Sequence, residues 1–129
     1  MSKPLALVIE DDPDLSEIFS VALRSGGFET ETIRDGRAAI DRLTGTPAML
    51  VVIDLHLPGV AGADILEHMH KNERFAKTAV IITTADAQLA DGLRSKADLV
   101  LLKPVGVDQL RQLAKRMLLR WHPEDAVDP

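Results

Sequence analysis

The stretch LALVIEDD, Leu5 to Asp12, sets three acids directly behind five apolar residues. A run that is apolar at every position cannot alternate between core and water, so it suits a parallel strand covered by helices on both faces. The same design recurs three times: MLVVI at 49–53 is followed by Asp54, AVII at 79–82 by Thr83 and Thr84, and LVLL at 99–102 by Lys103. FETETI, 28–33, differs: its alternation predicts a strand at the sheet margin with one wetted face.

Helical spacing fills the gaps. Leu15, Ile18, Phe19, Ala22 and Leu23 form an apolar stripe that ends at Gly26-Gly27, where a left-handed C-cap is accessible. Asp35 is placed to cap a helix carrying Ala39, Ile40 and Leu43. A third helix is predicted over 63–70, a shorter fourth over 88–95, and a fifth through Leu110, Leu113, Ala114, Met117 and Leu118, with Lys115, Arg116 and Arg120 suited to its negative end. Alternating strands and helices predict an α/β fold, a doubly wound five-stranded parallel sheet ordered 2-1-3-4-5, flavodoxin-like, with five helices. Asp14, Asp64 and Asp108, in strand-to-helix loops, are expected to act as helix N-caps.

The 129 residues suit one domain, and 46% hydrophobic content supports one core between two helical layers. Residues 5–120 are expected to form that domain, with 121–129, WHPEDAVDP, as an acidic tail. A net charge of −5 without a basic stripe leads to the expectation of no nucleic-acid partner. The apolar runs reach only about a third of a membrane span, and the acids at 10–12 follow too early for a secretory signal, so a soluble cytoplasmic protein without membrane contact is expected. Zero cysteines remove disulfides, thiolate metal sites and cysteine nucleophiles together. His68, His70 and His122 lack metal-ligand spacing and are expected on the surface.

In an open α/β sheet, ligands bind beyond the carboxyl ends of the strands, where the strand order reverses. For the order above, that point lies between strands 1 and 3, which deliver Glu10, Asp11, Asp12 and Asp54. Carboxylates sharing one cleft repel each other, and a hard divalent cation with oxygen ligands relieves that repulsion. Lys103 adds a positive charge from strand 5, and Thr83 or Thr84 a hydroxyl from strand 4. Such a constellation suits phosphoryl transfer, with Asp54 as nucleophile.

These segments give the chain its resemblance. VIEDDPDL at 8–15, VVIDLHLPGVAG at 51–62, IITTA at 81–85 and LLKP at 101–104, in that order, resemble the response-regulator receiver domain of two-component signalling, of the single-domain, CheY-like type, from about Leu5 to Arg120. The resemblance implies that Asp54 accepts a phosphoryl group from a histidine kinase or histidine phosphotransfer protein. It implies that Mg2+ or Mn2+ is held by Glu10, Asp11, Asp54 and the main-chain carbonyl of His56, with Asp11 as the more direct ligand of the acidic pair. Asp12 lies one place beyond that pair. Thr84, followed by Ala85, matches the switch hydroxyl, leaving Thr83 structural, and Lys103 matches the phosphate-binding lysine. Pro104 matches a family peptide bond that is commonly cis, an isomer the sequence leaves open. His56 and Asp86 fall where the family flanks the path of the hydrolytic water, as candidates for tuning dephosphorylation, or as plain solvated loop residues.

Three departures stand out. Val100 replaces the aromatic residue of the family's switch, either rerouting the signal or simply filling the core edge. Val105 replaces a common Phe. The segment from Thr84 to Lys103 is about one helical turn shorter than is common, which predicts a short or irregular helix 4. The expected function is a stand-alone receiver whose output is an unknown downstream protein. It is expected not to be a turnover enzyme, beyond Mg-assisted self-phosphorylation and self-dephosphorylation. A haloacid dehalogenase-type phosphatase would need a second Asp where His56 stands, and a cap domain. A phosphorylation-independent interaction domain fits Val100 better than it fits the intact acids and lysine. Flavin binding fits poorly with three Phe, one Trp and no phosphate-cradling loop after strand 1.

Overall fold

A computed structural model describes residues 3–45, 48–57 and 60–121, the side chains of the last two excepted. The strands are β1 (Leu5–Ile9), β2 (Glu29–Ile33), β3 (Leu50–Asp54), β4 (Ala79–Thr84) and β5 (Leu99–Leu102). The helices are α1 (Pro13–Ser25), α2 (Gly36–Leu43), α3 (Gly62–His70), α4 (Ala87–Leu93) and α5 (Val107–Trp121). All strand pairs are parallel, and the order is β2-β1-β3-β4-β5. The tail beyond Trp121 and His122 lie outside the described residues.

The two sheet faces carry separate cores. Ala6, Val8, Val52, Ile81 and Leu101 pack under α1 and α5, while Leu7, Ile9, Ile53, Val80 and Ile82 pack under α2 and α3. Side chains alternate along a strand, so an all-apolar run feeds both layers at once. Burying each such Val, Leu or Ile stabilises the fold by roughly 1.5–3 kcal/mol.

β2 takes the predicted margin, but it begins at Glu29, and Phe28 and Ile33 are its buried flanks on opposite faces. β5 forms the other margin: Leu99 and Val100 are half-buried and Leu102 is 45% exposed, so an apolar run here does not mean full cover. The reason is α4, which spans seven residues, buries only Ala90 and ends in a 3-10 turn at Arg94–Lys96. That is the short helix the sequence predicts.

The buried face of α1 is rotated from the expected stripe: Ile18 is exposed, whereas Ser16 and Ser20 are buried. Ser20 Oγ and Thr30 Oγ1 share a hydrogen bond, and Arg24 donates to Ser20 Oγ, so polar residues close the seam with β2. The helix stops at Gly26, and Gly27 turns the chain with φ +111°, where any side chain would strain the backbone. Asp14, Asp64 and Asp108 lie inside first turns rather than at caps. Asp12, Asp35 and Asp86 cap α1, α2 and α4, because a cap must precede the first helical residue and accept from the N–H groups two or three places on.

Candidate functional site

The strand ends gather the predicted groups. Glu10 extends β1 by donating its N–H to the Ile33 carbonyl, and Asp54 is the last residue of β3. Lys103 follows β5, its N–H donating to the Thr84 carbonyl, and the Lys103–Pro104 peptide is cis. Glu10 and Asp54 are buried, at 1% and 4% exposure, while Asp11 is open to solvent.

Lys103 Nζ donates to Glu10 Oε1 at 2.9 Å and lies 3.3 Å from Asp54 Oδ2. The second Glu10 oxygen accepts the Asp12 N–H at 3.2 Å, and Asp54 Oδ1 accepts the His56 N–H at 3.1 Å. Carboxylate oxygens of Glu10, Asp11 and Asp54 lie within 4.8 Å of one another. Burial pushes the Glu10 carboxyl up to about 7, against the opposing hydrogen bond from Lys103, with the nearby Asp54 raising it further. At Lys103 burial disfavours the charge but is outweighed by Glu10 and Asp54, which hold the ammonium above the usual lysine value. The partners thus pull in opposite directions. One ammonium shared between two buried carboxylates satisfies neither fully, so the less solvated acid drifts toward its neutral form.

The remaining residues are placed as follows. Thr84 is fully buried, and its Oγ1 accepts the Asp86 N–H at 3.1 Å. Asp86 Oδ1 accepts from Gln88 and Leu89 N–H, so this carboxylate is a helix cap and not a free loop side chain. Ala85 and the His56 side chain are exposed. Val100 pairs in register with Ile82 and packs on the α2–α3 layer. Thr83 is buried beside Asp54 in the β3–β4 register, a placement that sequence reasoning passed over. Matching the ends of MLVVID and AVIITT would align Asp54 with Thr84, one place off the observed register, so the run lengths alone do not give the pairing with Thr83.

Gly62 holds this edge from behind. A Cβ there would lie 2.8 Å from the Asp54 carbonyl oxygen and from Leu55 Cα, so only glycine lets α3 start this close to the acid.

The donor set suits a hard divalent cation. Three carboxyl groups share a single ammonium in a cleft with two buried acids, and all offered atoms are oxygens. Among the described residues no helix is long and apolar enough to cross a membrane.

The parallel sheet of this order carries its acidic pocket at the switch point between β1 and β3. The model of the response regulator receiver domain matches residues 6–115, and the chain belongs to that family. The chain is 32% identical over 123 residues to the DNA-binding response regulator MtrA of Mycolicibacterium smegmatis, covering 93% of this chain and 53% of that protein. It is 32% identical over 124 residues to the phosphate regulon transcriptional regulatory protein PhoB of Rhizobium meliloti, covering 94% and 55%. Among solved structures, the response regulator receiver domain protein (CheY-like) from Methanospirillum hungatei JF-1 superposes with a TM-score of 0.82 at 25% identity, covering 95% of this chain and 99% of that one.

The chain therefore spans about half the length of the curated relatives it matches. One expectation is corrected by them. Acidic balance led to the exclusion of nucleic acid as a partner, yet one of these relatives is a DNA-binding response regulator and the other a transcriptional regulatory protein. The charge of a receiver domain reports on its own surface only, and in a protein twice as long the DNA contact need not lie on it.

Proposed function

We propose that this domain, residues 5–120, receives a phosphoryl group on Asp54 from a histidine kinase or histidine phosphotransfer protein and passes the signal on by protein contact. The observation that carries this is the convergence of Lys103 Nζ on Glu10 and Asp54, from positions 93 residues apart in the case of Glu10. An Asp54 carboxylate oxygen attacks phosphorus, the new O–P bond forms as the P–N bond to the donor imidazole breaks, and Lys103 neutralises charge on the transferring group. Glu10, Asp11, Asp54 and the His56 main-chain carbonyl are the residues to hold Mg2+. When bound, that ion would neutralise phosphoryl oxygens.

Thr84 supplies the switch hydroxyl. To reach the phosphoryl group it gives up the Asp86 N–H, and this loosens the start of α4. With Val100 in place of an aromatic ring, the backbone after Thr84 carries the change. Leu89, Leu102 and Val107, each more than 40% exposed on α4, β5 and α5, support that face as the output surface. His56 and Asp86 flank the approach of water to Asp54 and set how long the acyl phosphate lasts. Dephosphorylation half-lives of His56→Ala and Asp86→Ala test this: changed values are expected, and values equal to the parent's would remove these two residues from the account.

Intact mass after incubation with acetyl phosphate and Mg2+ tests the main reading. One phosphoryl group retained per chain is expected, and none on Asp54→Asn. Continuous release of phosphate from phosphate esters without a retained group would favour a phosphatase instead.

A further inference from the structure

Glu10, Asp54, Thr83 and Lys103 each stand two positions beyond a residue of the core under α1 and α5, namely Val8, Val52, Ile81 and Leu101. The two-residue period of a strand points all four toward the same side of the sheet. Their strands are consecutive neighbours in the order β1-β3-β4-β5, so they form one row across the carboxyl edge. Thr84, two beyond Ile82 of the opposite core, starts from the other face.

Within that row Thr83 stands between Asp54 and Lys103. Lys103 Nζ reaches Asp54 on β3 and Glu10 on β1, so its side chain has to cross β4, where Thr83 is the residue on that side. Thr83 is 1% exposed, and its hydroxyl has no hydrogen-bond partner among the described residues. A buried hydroxyl without a partner is unfavourable, and such groups call for a specific reason. Lys103 carries three N–H donors, of which one is hydrogen-bonded to Glu10 while the ammonium lies 3.3 Å from Asp54. An unused donor and an unused acceptor therefore share one wall of the pocket.

We propose that Thr83 is a positioning residue for Lys103: its Oγ1 accepts an Nζ proton when phosphorylation of Asp54 draws the ammonium back from Glu10. In the resting arrangement Glu10, with a 2.9 Å contact, holds the ammonium beyond Thr83. A phosphoryl group adds negative charge at the end of β3 and removes the reason to reach as far as β1. The retracted ammonium then lies over β4, fixed by Thr83 from below and by the phosphoryl oxygens from above. This rests on Asp54 being the acceptor.

Thr83→Val keeps the shape and removes the hydroxyl, and Thr83→Ser keeps the hydroxyl. Tm without phosphodonor, and the rate of phosphorylation by acetyl phosphate with Mg2+ followed by intact mass, are measured for both and for the parent. Thr83→Val is expected to melt higher than the parent, because an unpaired buried hydroxyl is gone, and to react about tenfold more slowly, the loss of one hydrogen bond to a charged group. Thr83→Ser is expected at the parental rate. A gain in stability with a loss of rate is a combination that a packing role does not produce. A Thr83→Val rate equal to the parent's, a Thr83→Ser as slow as Thr83→Val, or a slow Thr83→Val that also melts lower would each overturn the proposal while leaving Asp54 as acceptor. A parent that gains no phosphoryl group would overturn both.

Discussion

Glu10 is the residue whose surroundings depart furthest from its chemistry in water. Its carboxyl sits at about 7 when folded against 4.5 for a glutamate free in water, so the folded chain binds a proton between those values that the unfolded chain has released. The stabilisation from this group is complete below pH 4.5 and is lost as pH rises through 7, an effect on the order of 3 kcal/mol. Metal-free protein should therefore melt at a lower temperature at pH 8 than at pH 6, and Mg2+ should close most of that gap by compensating the ionised acid. A Tm that rises between pH 6 and 8 without metal would contradict this assignment. The acids themselves were legible in the sequence, because each stands behind an apolar run. What was not legible is the division of labour among the three at 10–12: Glu10 is the buried partner of Lys103, Asp11 faces solvent, and Asp12 caps α1. That division depends on the turn from β1 into α1, where a shift of one residue changes every role.

α4 and the start of α3 are the elements whose small features bear on function. Asp86 caps α4 through Gln88 and Leu89 N–H, and its own N–H reaches Thr84 Oγ1, so one residue joins the switch hydroxyl to a seven-residue helix. Removing the cap in Asp86→Ala should cost about 1 kcal/mol, read as a lower Tm and faster amide exchange confined to α4. Unchanged exchange there would deny Asp86 its cap role. At α3, Gly62→Ala drives a methyl group into the Asp54 carbonyl and Leu55 Cα, both backbone, so it should destabilise by roughly 1–3 kcal/mol and slow phosphorylation together. If Gly62→Ala matches the parent in both, the contact is not as tight as described. The shortness of α4 was readable from the segment between Thr84 and Lys103, and the strands from their apolar runs. The rotation of α1 was not, because Ser16 and Ser20 are polar by composition and become buried only through contacts with a neighbouring strand and with Arg24.

The molecule as a whole pairs a rigid centre with a thin flank. β3 and β4 are buried along their entire length, whereas β5 and α4 at the same end of the sheet are partly open. Native-state hydrogen exchange should rank β3 amides slowest and α4 amides among the fastest in helices, with phosphorylation altering α4 and the loop before it most. Equal protection of α4 and α3 would remove the flank as the route of output. The parallel strands followed from the apolar runs and the doubly wound class from their alternation with helices, while the DNA-binding role of a relative did not, since net charge reports only on the surface of the domain that carries it. The claim underlying all of this is that Asp54 is the group phosphorylated. Borohydride reduction of the acetyl phosphate-treated protein converts an aspartyl phosphate to homoserine, and peptide mass spectrometry then locates it. Homoserine at position 54, abolished by chelating the Mg2+, is the predicted result; homoserine at position 11 or 12, or at no position, would contradict it.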